Sequence, residues 1–231
     1  MKMSPKKLFK KIKAQRRNNL TEWESIQILQ RYKIPVAKAE LAKNINETLK
    51  MAKKIGYPVV LKVCSPDVIH KTDVDGLALN LKTEEDVRTA FNRVSSNVKK
   101  KVPRARIHGM LVQKMVENGQ EVIVGGKKNV QFGQTIMFGL GGILVEVFED
   151  VSFRVIPIDR KEAEQMIQEI RGYKILKGYR GRTYDIKALV EILMKASRLL
   201  EENQEIKELD INPIIVLPKR AVAVDARILI E

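Results

Sequence analysis

Apolar residues recur every three or four positions in some stretches of this chain and gather into short β-branched runs in others, and the two kinds of stretch alternate from end to end. Trp23, Ile26 and Leu29 predict a helix that starts at a Thr21 cap, with Glu24 three residues on as in a capping box, and that stops before Pro35. Residues 36–41 predict a short strand, and Asn46 is expected to cap a helix that Gly56 and Pro58 end. Strands at 58–64 and 76–81 flank a polar loop. Thr83, followed by Glu85 and Asp86, opens a helix to about Ser96. Glycine then punctuates strands at 107–115, 120–125 and 134–138. Two amphipathic helices follow, one on Ala163, Met166, Ile167 and Ile170, the other on Ile186, Leu189, Val190, Leu193 and Leu200. The chain closes with strands at 206–211, 214–217 and 221–229. This is an α/β (α+β) pattern, and 231 residues suffice for one large domain or two small lobes.

Composition narrows the class. The longest apolar runs, such as 214–217, are only a few residues, which excludes a membrane-spanning helix. A basic N-terminus with no apolar stretch behind it gives no secretory signal, so a cytoplasmic protein is expected. The one cysteine, Cys64, excludes an internal disulfide framework and a cysteine-based zinc site, and it reads as a small buried hydrophobe. The net charge of +15 is unevenly placed: Lys2, Lys6, Lys7, Lys10, Lys11, Lys13, Arg16 and Arg17 all precede the first acid, Glu22. Such an arm binds nucleic acid or anionic membrane, or else is a solvated and partly helical extension, with Leu8, Phe9 and Ile12 as a weak apolar stripe. Aromatic residues are only 5% of the chain and are not interleaved with this charge, which argues against a stacking platform for single strands.

Candidate chemistry concentrates in four places. On the strand from Pro58, alternation sets Val60, Lys62 and Cys64 on one face. A lysine among β-branched neighbours needs an anion or carboxylate to offset its desolvation, a nucleotide phosphate being one; the alternative is a lysine snorkelling from a sheet edge. The loop after that strand carries His70. Phe138 to Gly142 holds Gly139, Gly141 and Gly142, which suit either backbone approach to a phosphate or a tight hairpin turn; it is neither a Walker A loop nor a dinucleotide fingerprint. Asp210 and Asn212 share one face of a strand and Asp225 comes opposite on the return strand, an oxygen set that suits Mg²⁺ with open positions, or else a surface acid and an Asn-Pro turn. Glu121 either accepts from a ribose or marks a strand edge. His108 reads as a surface or satisfied histidine.

Taken in order, the segments Pro58–Lys62, Ser65–Asp73, Gln131–Gly133, Phe138–Gly142, Gly172–Tyr173, Gly178–Gly181, Glu208–Pro213 and Val224–Arg227 make the chain, from about residue 20 to its end, resemble the ATP-grasp β subunit of an ADP-forming acetyl-CoA synthetase, a relative of succinyl-CoA synthetase β chains. The loop around His70 is the most specific of these matches. The resemblance implies an ATP-grasp fold of two α+β lobes gripping a nucleotide: a basic extension at 1–19, an N-terminal lobe with a phosphohistidine loop at 20–112, and a C-terminal lobe with the Mg-nucleotide site at 113–231.

By the same resemblance, Lys62 contacts the phosphates of ATP or ADP, the backbone of Gln113, Lys114, Met115 and Val116 meets the adenine, and Glu121 takes the ribose. Gly139, Gly141 and Gly142 line the phosphates, and Asn212 and Asp225 hold Mg²⁺. His70 is the phosphoryl carrier, and Asp210 stands where relatives place a carboxylate, commonly glutamate, associated with phosphohistidine chemistry. Asp75 stands where glycine or another small residue is expected. The implied partner is a CoA-binding alpha subunit that supplies the Rossmann domain and a first phosphohistidine, in a heterotetramer of two copies of each. Two other readings are a self-sufficient ATP-grasp ligase that makes its own acyl phosphate, and a nucleic-acid-binding module resting on the basic arm.

Overall fold

The computed structural model describes residues 3–116, 119–142, 149–178, 181 and 183–231; Lys2, Tyr179 and Arg180 lie outside them. Along the chain the elements are α1 (Pro5–Ala14), α2 (Glu22–Arg31), β1 (Ala39–Ala42), α3 (Ile45–Ile55), β2 (Val59–Cys64), β3 (Leu77–Leu81) and α4 (Glu84–Lys101). Next come β4 (Gly109–Lys114), β5 (Gln120–Asn129), β6 (Gly133–Leu140) and β7 (Val151–Val155). The last third holds α5 (Arg160–Glu169), α6 (Tyr173–Gly178), α7 (Ile186–Glu202), β8 (Ile206–Leu217), β9 (Arg220–Ala223) and β10 (Arg227–Ile230).

The chain divides into two compact units, residues 37–116 and residues 1–36 with 117–231. These boundaries differ from the expected ones at 19/20 and 112/113. The physical reason is visible in the first residues. Helix α1 buries Leu8, Phe9 and Ile12 in the same core as Ile211, Ile214 and Leu193 of the larger unit, so the basic arm is a structural element of that unit. Its lysines 6, 7, 10 and 11 remain on the exposed side. The segment after it zips onto the last strand: Leu20 N–H donates to Ile228 O at 3.0 Å and Ile230 N–H to Asn18 O at 2.7 Å.

In the unit of residues 37–116, a four-stranded antiparallel sheet runs in the order β1-β4-β2-β3. Val59, Leu61, Val63, Met110 and Val112 form a core with Ala52 and Ile55 of α3 and with Val87, Ala90, Val94 and Val98 of α4. Val98 continues the α4 stripe, which is why that helix runs past Ser96 to Lys101. The cap of α3 is Asn44 rather than Asn46. Asn44 accepts from Glu47 N–H at 2.9 Å while the Glu47 carboxylate reaches back to Lys43 N–H at 2.8 Å, a reciprocal arrangement that needs an acid three residues on, which Asn46 lacks.

The larger unit carries, among its described residues, a six-stranded sheet in the order β10-β8-β5-β6-β7, with β9 also paired to β8. Helices α5 and α7 cover one face through Ala163, Met166, Ile167, Leu189, Leu193 and Leu200. Two expected strands, 206–211 and 214–217, are one strand, β8, that passes through Pro213. A register shift between Val122 and Val124 on β5 lies opposite Asn212 and Pro213, a bulge that accommodates a residue with no amide hydrogen. The expected strand 221–229 is instead two, because β9 pairs with 214–217 while β10 pairs with 206–210, leaving 224–226 to bridge. Strand β7 and helix α6 add to the predicted elements. No helix of the described residues is long and apolar enough to cross a membrane.

Candidate functional site

In the unit of residues 37–116, pairing of Val60 with Gln113 and of Lys62 with Leu111 sets Lys62 and Gln113 on the sheet face opposite α3 and α4. Both are buried, Lys62 at 6% and Gln113 at 2% exposure, and a buried amine of this kind is one that must be matched by anionic or polar groups. Lys62 lies in the middle of the sheet, between β3 and β4, and not at an edge. Gln113 and Lys114 end β4, and Met115 and Val116 are the last residues of the unit. The Lys114 ammonium donates to the carbonyls of Gly56 and Tyr57 at 3.0 and 2.8 Å, its amide to Lys38 O, and the Met115 amide to Pro58 O at 3.1 Å. This segment is therefore held to the β2 and β1 ends by its own backbone.

His70 is exposed on the loop between β2 and β3, beside the half-exposed Ile69, while Pro66 and Val68 below it are buried. Asp67 accepts from the Arg106 side chain at 2.6 and 3.0 Å and from the Arg106 amide at 2.7 Å. Those hydrogen bonds outweigh the effect of burial and hold the Asp67 carboxyl down to about 2. Beyond His70, the Gly76 amide closes onto Lys71 O at 2.7 Å. Asp75 has φ 48, in the left-handed region that explains why a glycine is expected there. Its carboxylate receives the Lys101 ammonium at 2.7 Å, and Lys101 also donates to Asp73 O at 3.0 Å. Sequence reading singled out neither Arg106 nor Lys101, since nothing in a cation's local pattern names a partner 26 or 39 positions away.

In the larger unit, Val122 and Val124 point into the core, which leaves Glu121, Ile123 and Gly125 on the open face of the sheet. Gly139 pairs with Ile123 on that face, inside β6 and flanked by β7, so this glycine belongs to the strand and not to a turn. Only Gly141 and Gly142 leave the sheet. Gly141 N–H donates to Glu121 O at 2.8 Å, and a Cβ there would lie 2.8 Å from the Glu121 Cβ, so the close approach requires glycine.

Lower on the same face, a cavity of about 390 Å³ is lined by Gly125, Met137, Phe153, Glu208, Asp210 and Asn212. Val224 N–H donates to Pro213 O at 3.0 Å, which brings the bridge holding Asp225 beside the Asn212 bulge. Burial first, then the negative charges of Asp225 and Glu208, push the Asp210 carboxyl up to about 6 against the lowering influence of Arg227. A nearby cation would relieve the repulsion that Asp210 feels from Asp225 and Glu208. Among the described residues no three His, Cys, Asp or Glu side chains form a self-sufficient metal cage.

Residues 11–230 match the model of the ATP-grasp domain family. The chain is 44% identical over its whole length, and over the whole length of the relative, to the β subunit of acetate–CoA ligase (ADP-forming) II of Pyrococcus furiosus. It is 48% identical over 90% of its length to acetate–CoA ligase (ADP-forming) I of Archaeoglobus fulgidus, of which it spans only 30%. Among solved structures it resembles an acetyl-coenzyme A synthetase of Ca. Korarchaeum cryptofilum. With coenzyme A, Ca-AMPCP and HgCl+ present, that structure gives TM-score 0.96 at 46% identity, covering 99% of this chain and 100% of that one. With coenzyme A and Mg-AMPPCP, described with its phosphohistidine segment pointing towards the nucleotide site, it gives 0.88 at 42%, with the same coverage. The chain belongs to the ATP-grasp family, and within it to the β subunits of ADP-forming acetate–CoA ligases.

Proposed function

We propose that this chain is the nucleotide-side half of an ADP-forming acyl-CoA synthetase, passing a phosphoryl group between His70 and ADP. The observation that supports this best is the His70 loop, lifted into solvent between two anchored ends, in a chain that aligns end to end with a β subunit. The chain spans 30% of the Archaeoglobus fulgidus ligase, and on this reading the acyl and CoA steps fall to a separate CoA-binding alpha subunit, in an assembly of two copies of each. There, acyl-CoA and phosphate give acyl phosphate and CoA; the acyl phosphate then gives the acid and a phosphohistidine, which hands its phosphoryl group to His70. On this chain the N–P bond of phospho-His70 breaks as a terminal oxygen of ADP bonds to phosphorus, giving ATP and neutral imidazole.

The other assigned residues act around that transfer. Lys62 offsets phosphate charge, and Glu121 accepts from the ribose. With the amides of Lys114 and Met115 already bonded, Gln113 to Val116 reads the adenine through carbonyls and the Val116 amide. Gly139 and Gly141 keep side chains off the phosphate path, with Gly142 beyond them. Asn212 and Asp225 would hold Mg²⁺, which neutralises developing phosphate charge when bound. Asp210 and His70 are the residues assigned to the chemistry itself.

The test is phosphoryl labelling of the full chain with γ-labelled Mg-ATP. Label should be acid-labile and base-stable, map to the peptide holding Ile69, His70 and Lys71, and vanish in His70→Ala while ADP binding is retained. Label mapping elsewhere, or ATP formation that survives His70→Ala, overturns the assignment. Acyl-CoA synthesis should require added alpha subunit, and robust synthesis by this chain alone would favour the self-sufficient ligase.

A further inference from the structure

Arg227 ends a row of residues that crosses the open face of the larger sheet at Asp210. The register pairs Gly125 with Asp210 and Asp210 with Arg227, so the three stand side by side on β5, β8 and β10. Their strand neighbours Val124, Leu209, Ile211 and Ile228 enter the core, which turns Asp210 and Arg227 to the open side. Directly opposed residues of antiparallel strands hold their Cβ atoms about 5 Å apart. Arg227 is partly buried, and its Nε is out of water with no hydrogen-bond acceptor among the described residues. Asp210, although directly across the ladder, does not bond that Nε. A guanidinium nitrogen withdrawn from water without an acceptor is costly, and an anion brought to it offsets that cost.

Position along β8 indicates which anion. Glu121, assigned to the ribose, lies opposite Ile215. Asn212, assigned to the cation, comes next on the open face, and Asp210 is two residues further, about 7 Å along the strand. Asp210 and Arg227 therefore lie beyond the cation residues on the side away from the ribose, where the last phosphate of a nucleoside triphosphate falls. We propose that Arg227 is a catalytic residue that grips the phosphoryl group in transit between His70 and ADP. The proposal rests on the reading of His70 as a phosphoryl carrier and of this face as the nucleotide site. As the N–P bond of phospho-His70 breaks and the bond from the terminal oxygen of ADP forms, charge is spread over the three other oxygens of the phosphoryl group. A guanidinium offers those oxygens a planar fork of donors and stays charged at every working pH. It neither gives nor takes a proton, so it serves ATP formation and its reverse alike.

Calorimetry of the full chain with Mg²⁺ tests this, using ADP and the β,γ-methylene analogue of ATP as probes. Arg227→Gln should weaken the analogue about tenfold or more and leave ADP within about twofold, because only the analogue carries the third phosphate. Single-turnover labelling from γ-labelled Mg-ATP should slow about a hundredfold or more in Arg227→Gln, and Arg227→Lys should recover analogue affinity better than rate, since an ammonium supplies the charge without the fork. A residue that only neutralises Asp210 predicts equal losses for both probes, and that outcome overturns the proposal. Should Arg227→Gln fail to fold, the wild type still decides: phenylglyoxal modification of the peptide holding Arg227 should be slowed by the analogue and far less by ADP, and equal protection by the two overturns the proposal. Unchanged analogue affinity in a folded Arg227→Gln, with label still reaching His70, removes Arg227 and keeps the carrier reading. Selective loss of the analogue, with wild-type label never reaching His70, removes the carrier reading and keeps the contact of Arg227 with the last phosphate.

Discussion

Val224 gives its amide hydrogen to the Pro213 carbonyl at 3.0 Å, and this bond seats the bridge carrying Asp225 against the bulge carrying Asn212. Two interruptions of regular pairing, one forced by a proline and one by the switch between β9 and β10, thus meet at one place on the open face of the sheet. Asp225→Ala should weaken Mg²⁺-dependent ADP binding at least tenfold, about 1.4 kcal/mol, because one of few oxygen donors is lost. Calorimetry with and without Mg²⁺ measures it, and an unchanged Mg²⁺ dependence removes Asp225 from the cation site.

Phe9 is fully buried in the larger core, so Phe9→Ala should cost about 3–5 kcal/mol of stability. Lys10→Ala on the exposed side of the same helix should stay within about 0.5 kcal/mol. Denaturant titration distinguishes them; equal, small effects would return α1 to the status of an appendage. Deleting residues 1–19 would test folding and not nucleic-acid binding, whereas replacing Lys6, Lys7, Lys10 and Lys11 with glutamine keeps the core while removing the charge.

Arg17, its side chain 3% exposed, donates to both carboxylate oxygens of Glu24, at 3.1 and 2.9 Å. Burial works against the charged acid, but hydrogen bonds from Arg17 and Thr21 overcome it and keep the Glu24 carboxyl below its usual range. Arg17→Ala strands that charge and should destabilise by about 3 kcal/mol, whereas replacing both partners by apolar residues of similar volume should cost less. A double-mutant cycle on thermal unfolding reads the difference, and a coupling near zero would refute it.

Asp67 has a folded-state value depressed to about 2, so its link to Arg106 stabilises the fold above the ordinary carboxyl value near 4 and is lost as pH falls from there through about 2. Asp67→Asn should flatten the acid limb of the stability curve in that window and leave the slope above pH 5 unaltered. Unfolding midpoints at half-unit pH steps test this, and an identical acid limb in the variant excludes the fork as its cause.

Much of the local architecture was legible because its causes are local. The Thr21–Glu24 and Thr83–Asp86 boxes form from residues three apart, and Val60, Lys62 and Cys64 share a face because strand side chains alternate. The expected break between strands 206–211 and 214–217 is absent because the proline at 213 forbids a ladder bond but does not forbid a bulge, and only the partner strand decides between the two. Phe9 gave no sign of core membership, since a three-residue apolar stripe among lysines reads alike on a solvated helix and on one that packs.

Sequence by itself therefore determined the alternation of helices and strands, the family motifs and the positions of His70, Lys62, Asn212 and Asp225. Tertiary structure decided which of these stand together: Glu121, Gly139, Asp210 and Asn212 on one sheet face, and Asp67 with Arg106 across the His70 loop. The reason is range. Caps and alternation act between residues a few positions apart, whereas cross-strand registers and ion pairs join residues tens of positions apart, and their partners are fixed only when the whole core has packed.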